Sequence, residues 1–415
     1  MERPECLPSY DGRGLANLGA TLCAQLGGWD HDLLPPLADD VLPPTLRDGV
    51  TTLVLLLVDG LGMHQLRRAI AAGDVPTLAR LVEDAERGSG SLAPITSVFP
   101  SATMAALASV HTGLAPNRHG IVGWTVYLEE FGGVAEMARW GPVDKPGTSY
   151  QDPRRGGHDP VAFLGVPTVY SRLARRGVRS YVVNPAEYRG SALSRMIFAG
   201  AQEVGYRSPS GLAVALERLL AEPAETPRLI YAYYPGLDLV SHLSGPRSAE
   251  HAAELAAFDF LLGRWLRRTR RDGRTLCLLT ADHGHVFTPP EGTLFIDQYP
   301  TLLRQLVAPP SGERRLLYLH ARPGRLEAAR EQVARLWGDA VEVRDSDAAL
   351  AAGLFGPGEP SPVARRRIGD LLALARDDRQ LTYGPQPGRP ARKFAGNHGA
   401  LDPDEMLVPL LAWRL

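Results

Sequence analysis

Cysteine is scarce in this chain: Cys6, Cys23 and Cys277 stand far apart with no Cys-x-x-Cys pair. That excludes a disulfide framework and a thiolate zinc site. Lysine is scarcer, only Lys145 and Lys393, and arginine fills the basic positions. Neither sign of charge is in excess. A formal net charge of −1 provides no global field toward nucleic acid or anionic lipid, so stable nucleic-acid binding is not expected. Long apolar runs are missing as well. The longest, Leu53 to Val58, is far too short to span a membrane, and Met1-Glu2-Arg3-Pro4 does not lead into a signal-peptide core. The expectation is a soluble, cytoplasmic protein with no membrane partner; composition sets no oligomeric state.

What is present fits an ordinary globular chain. At 415 residues, with 44% apolar and 22% charged residues, one large domain with an insertion, or two domains, is expected. The chain alternates apolar strands with amphipathic helices, a βαβ pattern that predicts a mostly parallel sheet with helices on both faces. Three predicted strands share one feature. Thr51–Gly60 ends in Asp59; Arg228–Tyr234 runs into P-G-L-D-L-V-S-H, with Asp238 and His242; Thr275–Thr280 ends in A-D-H-G-H, with Asp282 and His283. In open α/β sheets the carboxyl ends of the strands are where ligands gather. Residues 125–165 read as loops covering a site. Residues 301–385 read as a compact inserted α+β cap subdomain, with a helical pattern near Ala364–Ala375, between core segments 1–300 and 386–415.

The stretch Ser97–Gly120, S-V-F-P-S-A-T-M-A-A-L-A-S-V-H-T-G-L-A-P-N-R-H-G, predicts a turn followed by a short helix starting at Thr103. A hydroxyl there is either an N-cap or a nucleophile beside a helix N-terminus that attracts a phosphoryl oxygen. Asp59, Thr103, Asp238, His242, Asp282, His283 and His398 all fall at strand ends or turns. Asp238 and His242, four apart, share a helix face; Asp282 and His283, adjacent, serve either two centres or two sides of one. Carboxylate with imidazole and no thiolate suits Zn²⁺, with Mn²⁺ as second candidate, and the number of donors suits two ions. His285 is read as orienting a ligand or as inert, and is left out of the site.

Taken in order, V-D-G (58–60), P-S-A-T-M-A-A-L-A-S-V-H-T-G (100–113), H-G-I (119–121), D-x-x-x-H (238–242), D-H-G (282–284) and N-H-G (397–399) resemble the alkaline phosphatase superfamily, and within it the type I phosphodiesterase/nucleotide pyrophosphatase branch. The resemblance implies an alkaline-phosphatase-like α/β core. It implies a nucleophilic Thr nine residues before the Thr of T-G, which selects Thr103. It also implies one metal held by Asp238, His242 and His398, and another held by Asp59, Asp282 and His283 with Thr103. The implied activity is metal-dependent hydrolysis of a small phosphodiester or nucleotide substrate through a phosphothreonyl intermediate.

Two positions depart from the branch. Trp124 stands where an Asn usually binds a phosphate oxygen, and Met104-Ala105-Ala106 replaces the usual F-P-N. A phosphomonoesterase or phosphonate hydrolase of the same superfamily is the alternative, a phosphoglycerate-mutase-like phosphotransferase a further one, and a non-catalytic nucleotide-binding scaffold the non-enzymatic one. A sulfatase is disfavoured because no C/S-x-P-x-R surrounds the nucleophile. Arg118, Arg154, Arg155 and Arg189 as phosphate contacts, and Tyr127 and Trp140 as stacking rings, are weighed and set aside as solvated or packed side chains.

Overall fold

The structure, a computed structural model, describes residues 4–153, 157–223, 226–384 and 394–415. Its centre is a seven-stranded sheet. In chain order the strands are β1 (Thr52–Val58), β2 (Gly90–Thr96), β3 (Arg179–Pro185), β4 (Gln202–Tyr206), β5 (Arg228–Tyr234), β6 (Thr275–Thr280) and β7 (Leu407–Arg414). Across the sheet they run β2-β7-β6-β1-β5-β3-β4. β1 pairs in parallel with β5 and β6, β3 in parallel with β4 and β5, and only β7 runs against its neighbours.

The three middle strands explain the register. Every residue of β1, β5 and β6 is buried, as unbroken apolar sequence requires when both faces of a parallel sheet are covered by helices. Because β6, β1 and β5 are adjacent and parallel, their carboxyl ends open at one edge, and the acidic and imidazole groups that follow them meet there.

The helix after β2, α1 (Thr103–Thr112), is built from small residues and is buried from Met104 to Thr112. It stops at Gly113, whose φ of 71° is left-handed. Small residues let the Ala16–Gln25 helix approach closely: a Cβ on Gly19 would sit 2.4 Å from the Val110 carbonyl oxygen. After β5 comes α2 (Gly236–Ser244), with Leu237 and Ser241 turned inward.

A second seven-stranded sheet is antiparallel. Residues 341–345, 371–375, 316–319 and 311–312 supply four strands, and 125–128, 133–136 and 141–142 complete it. Residues 125–165, expected as loops, therefore contribute three strands and the short helix Pro160–Leu164. The expected helix near Ala364–Ala375 also ends early, at Ile368. Gly369 turns the chain at φ 72°, and Leu371–Ala375 becomes a strand between 316–319 and 341–345. Pairing on both edges overrides the helical preference of Leu and Ala. The expected boundary at 385/386 lies outside the described residues, as do Arg154, Arg155 and Lys393. The Tyr318 hydroxyl donates to the Val122 carbonyl at 2.6 Å, fixing the turn before strand 125–128, and Arg315 Nε donates at 3.0 Å to Glu405, in the short helix that precedes β7.

Candidate two-centre hydrolase site

Thr103 is the first residue of α1, not its cap. Ala102 occupies the cap position in extended backbone, and no side chain caps this helix. The Thr103 hydroxyl points away from the helix N–H groups: Oγ1 lies 3.1 Å from Nε2 of His283. No side chain fills the N–H groups of the first turn, and a helix start left open in this way favours an anion.

Around this hydroxyl the structure brings the predicted acidic and imidazole side chains into two groups. Asp59, Asp282 and His283, all buried, form one. Asp238, His242, His398 and, in addition, His285 form the other. Adjacent Asp282 and His283 therefore face one centre. The groups are neighbours, with the His283 and His398 rings stacked at 3.5 Å between centroids.

Hydrogen bonds orient each donor and leave one atom free. In Asp59, Oδ2 accepts from the Tyr233 hydroxyl and Oδ1 has no partner. In Asp282, Oδ1 accepts from the N–H groups of Gly60 and His283, each at 3.1 Å, while Oδ2 has no partner. His242 directs Nδ1 to the Gly396 carbonyl at 2.7 Å, His283 to Gly284 at 3.0 Å and His398 to Ser101 at 2.8 Å. Those bonds place the proton on Nδ1 and aim the Nε2 lone pairs inward, as metal-binding imidazoles require. Orphaned buried carboxylate oxygens are costly in a dry site, and a divalent cation relieves that cost. The donor set fits one.

The charge balance agrees. Burial raises the Asp59 carboxyl well above its usual range, and Asp282 and Asp238 push it further, against the Tyr233 hydrogen bond. Burial acts in the same direction on Asp238, but His242, His285 and His283 together hold its carboxyl well below the usual range. Burial also lowers His398 well below its usual value, with His283 and His242 adding to it. A neutral imidazole is the ligand form.

The centre opens into a cavity of about 950 Å³ lined by Thr103, Asp238, His242 and His398 on the core side, and by Trp124, Glu313, Arg314 and Tyr383 on the other. Trp124 sits in this wall, 42% exposed, and its backbone N–H donates to Glu313. His119 of the H-G-I motif is structural. It accepts from the Ile121 N–H at 3.1 Å and bonds Ser109 at 2.9 Å, fixing the turn that leads to Trp124. Arg118 and Arg189 are absent from the cavity lining, and Trp140 is buried in packing.

Three residues at the site escaped the sequence. Tyr233 is one of several tyrosines in an apolar strand. Glu313 lies in a block with no motif. His285 was visible as the fourth letter of D-H-G-H, but its direction was not.

Comparison with known proteins follows the geometry. Residues 53–401 match the model of the type I phosphodiesterase / nucleotide pyrophosphatase family, and the chain belongs to that family of hydrolases, within the alkaline phosphatase superfamily. No curated protein matches it in sequence. Among solved structures it is similar to murine ectonucleotide pyrophosphatase / phosphodiesterase 5, with 15% identity, 87% of each chain covered and a TM-score of 0.65. An inactive form of that protein in complex with AMP gives a TM-score of 0.64 at 15% identity, again with 87% of each chain covered. Phosphonoacetate hydrolase from Sinorhizobium meliloti 1021, in complex with phosphonoacetate, is 20% identical over 87% of this chain and 89% of that one, with a TM-score of 0.62. These likenesses establish the fold.

Proposed function

We propose that this member of the type I phosphodiesterase/nucleotide pyrophosphatase family hydrolyses phosphodiester or nucleotide pyrophosphate bonds at a centre for two divalent ions, Zn²⁺ first and Mn²⁺ second, with Thr103 as nucleophile. The observation that carries the reading is the position of Thr103: its hydroxyl lies 3.1 Å from Nε2 of His283, within one of two neighbouring groups of ligand side chains. Bound ions would lower the pKa of that hydroxyl and neutralise charge on the transferring phosphoryl group.

The remaining chemistry belongs to the chain. Thr103 Oγ1 gives up its proton to solvent and attacks phosphorus; the Thr–O–P bond forms as the P–O bond to the leaving ester oxygen breaks, and that oxygen, protonated by water where its basicity requires, departs into the cavity. The first-turn N–H groups of α1 hold an equatorial oxygen as charge builds on it. Water then attacks the phosphothreonyl phosphorus from the opposite side and releases Thr103.

The partner is a small phosphorus ester. The AMP complex of the murine structure supports a nucleotide, while the phosphonoacetate complex keeps phosphonates, with phosphomonoesters, as the second reading. Above about pH 8, where the half-buried Glu313 carboxyl in the cavity wall is charged, it favours the first, because a diester carries one negative charge where a monoester carries two. Comparing hydrolysis of bis-p-nitrophenyl phosphate, p-nitrophenyl phosphate and phosphonoacetate separates the readings. Diester turnover should exceed the others, and a preference for phosphonoacetate would replace this proposal. Cytoplasmic location is part of it, supported by the free thiols of Cys6, Cys23 and Cys277 and tested by cell fractionation. Among the described residues no helix is long and apolar enough to cross a membrane.

A further inference from the structure

His285 follows the D-H-G segment by one residue, and the backbone beyond it forms a short ladder. Val286 pairs with Asn397, and Phe287 with Gly396, antiparallel. One step back along that ladder, 285 faces 398, so the two imidazoles are brought side by side, 5.2 Å between ring centres. The ring of His285 is pinned from behind by Gly60, where a Cβ would come within 2.6 Å of His285 Cε1. Gly60 also has a φ of 80°, which favours glycine. The imidazole is wedged between the Gly60 backbone and Asp238.

Its tautomer follows the scheme of the other three histidines. Nδ1 lies 3.4 Å from the Gly60 carbonyl oxygen, which leaves Nε2 as the lone pair facing the centre. That atom is fully buried and lies 3.0 Å from Asp238 Oδ1. With the proton on Nδ1 the two atoms face each other as acceptors in a dry site, which a cation between them relieves. The same holds for His242 Nε2 and His398 Nε2 at 3.3 Å. Asp238 Oδ1 lies 3.3 Å from His242 Nε2 and 3.9 Å from His398 Nε2. Bonds of about 2.0–2.1 Å to a tetrahedral ion put its donors roughly 3.3 Å apart; three of these separations fall within about 0.3 Å of that value and the fourth is 3.9 Å.

We propose that His285 is a fourth protein ligand of the ion held by Asp238, His242 and His398. This rests on the reading that the two groups hold ions, and it changes the character of one of them. With four protein donors that centre retains its ion more firmly than a three-donor centre and takes a substrate oxygen only by raising its coordination number. The Asp59 group, with three protein donors, is the more exchangeable.

Cobalt-substituted protein tests the assignment without reference to turnover. Each imidazole bound through Nε2 carries an Nδ1–H near the paramagnetic ion, giving one exchangeable, strongly shifted proton resonance in water. The wild type should show four, from His242, His283, His285 and His398. His285→Gln should show three and should lose one ion to a chelator at least about 10-fold more readily. Three resonances in the wild type overturn the assignment, and that count stands even if the variant does not fold. Ion release unchanged in a folded His285→Gln protein overturns it as well. Cobalt taken up by neither group overturns the two-centre reading itself, and the assignment with it, an outcome distinct from uptake with only three resonances.

Discussion

Oγ1 of Thr103 stands 3.1 Å from Nε2 of His283. The helix takes no side-chain cap, because Ala102 holds the cap position, and the Thr103 hydroxyl at the first helical position lies against the metal-ligand side chains instead. Thr103→Ala should therefore abolish turnover of bis-p-nitrophenyl phosphate while leaving ion content and thermal stability nearly unchanged. Thr103→Ser should keep measurable turnover. Elemental analysis beside a rate assay checks both, and residual wild-type turnover in the alanine variant would remove Thr103 from the nucleophile role.

Glu405 joins the loops that carry Thr103 and His398. Its carboxylate accepts from Arg315 Nε and from the Ala400 N–H, each at 3.0 Å, and lies 3.3 Å from the Ser101 hydroxyl, which itself accepts from the Gly399 N–H at 3.0 Å. All of this is buried. Removing one partner of a buried, hydrogen-bonded ion pair costs about 3–5 kcal/mol. Arg315→Met should lower stability by that order, and Glu405→Gln by less because the amide keeps an acceptor. Urea unfolding of the two variants should rank them so.

Glu313 faces the cavity beside Trp124. Burial pushes its carboxyl up to about 8 against the Trp124 N–H, so the group is neutral below that pH and charged above it. The ratio of diester to monoester turnover should rise as pH passes through about 8. In Glu313→Gln the ratio should stay flat, equal to the wild type below about pH 8 and about 10-fold lower than it above, the size of one like-charge contact in a partly dry site. An unchanged ratio in the variant would place the discrimination elsewhere.

His119 accepts the Ile121 N–H on Nδ1, so its neutral form is built into the turn. Burial lowers it, and likewise His111, from 6.5 to about 3. The folded state resists protonation while the unfolded state does not. The associated stability is present above about 6.5 and is lost as pH falls from there toward about 3. By pH 5 each of these histidines withdraws about 2 kcal/mol. His119→Asn keeps an acceptor for Ile121 but does not titrate, so the metal-free variant should lose less stability between pH 7 and pH 5 than the metal-free wild type.

The donors were legible in the sequence because β6, β1 and β5 are unbroken apolar strands, and an Asp after such a strand has one edge to occupy. The division of the donors between two centres came from the resemblance; in the structure the same side chains lie in two groups, with His285 added to one of them. The second sheet was not legible. The strand at 125–128 joins that sheet through Thr125, which pairs with Gly312 nearly two hundred positions away, and Leu371–Ala375 carries a helical composition into a strand. Both are decided by partners, not local preference. His285 and Glu313 were missed for a related reason: a side chain's direction depends on a register that no local pattern contains.

The central claim is tested most directly by counting bound ions while following bis-p-nitrophenyl phosphate hydrolysis before and after chelation. The account predicts about two Zn²⁺ or Mn²⁺ per chain, turnover lost on chelation, and recovery when either ion is returned. Undiminished turnover in protein stripped of ions would contradict it.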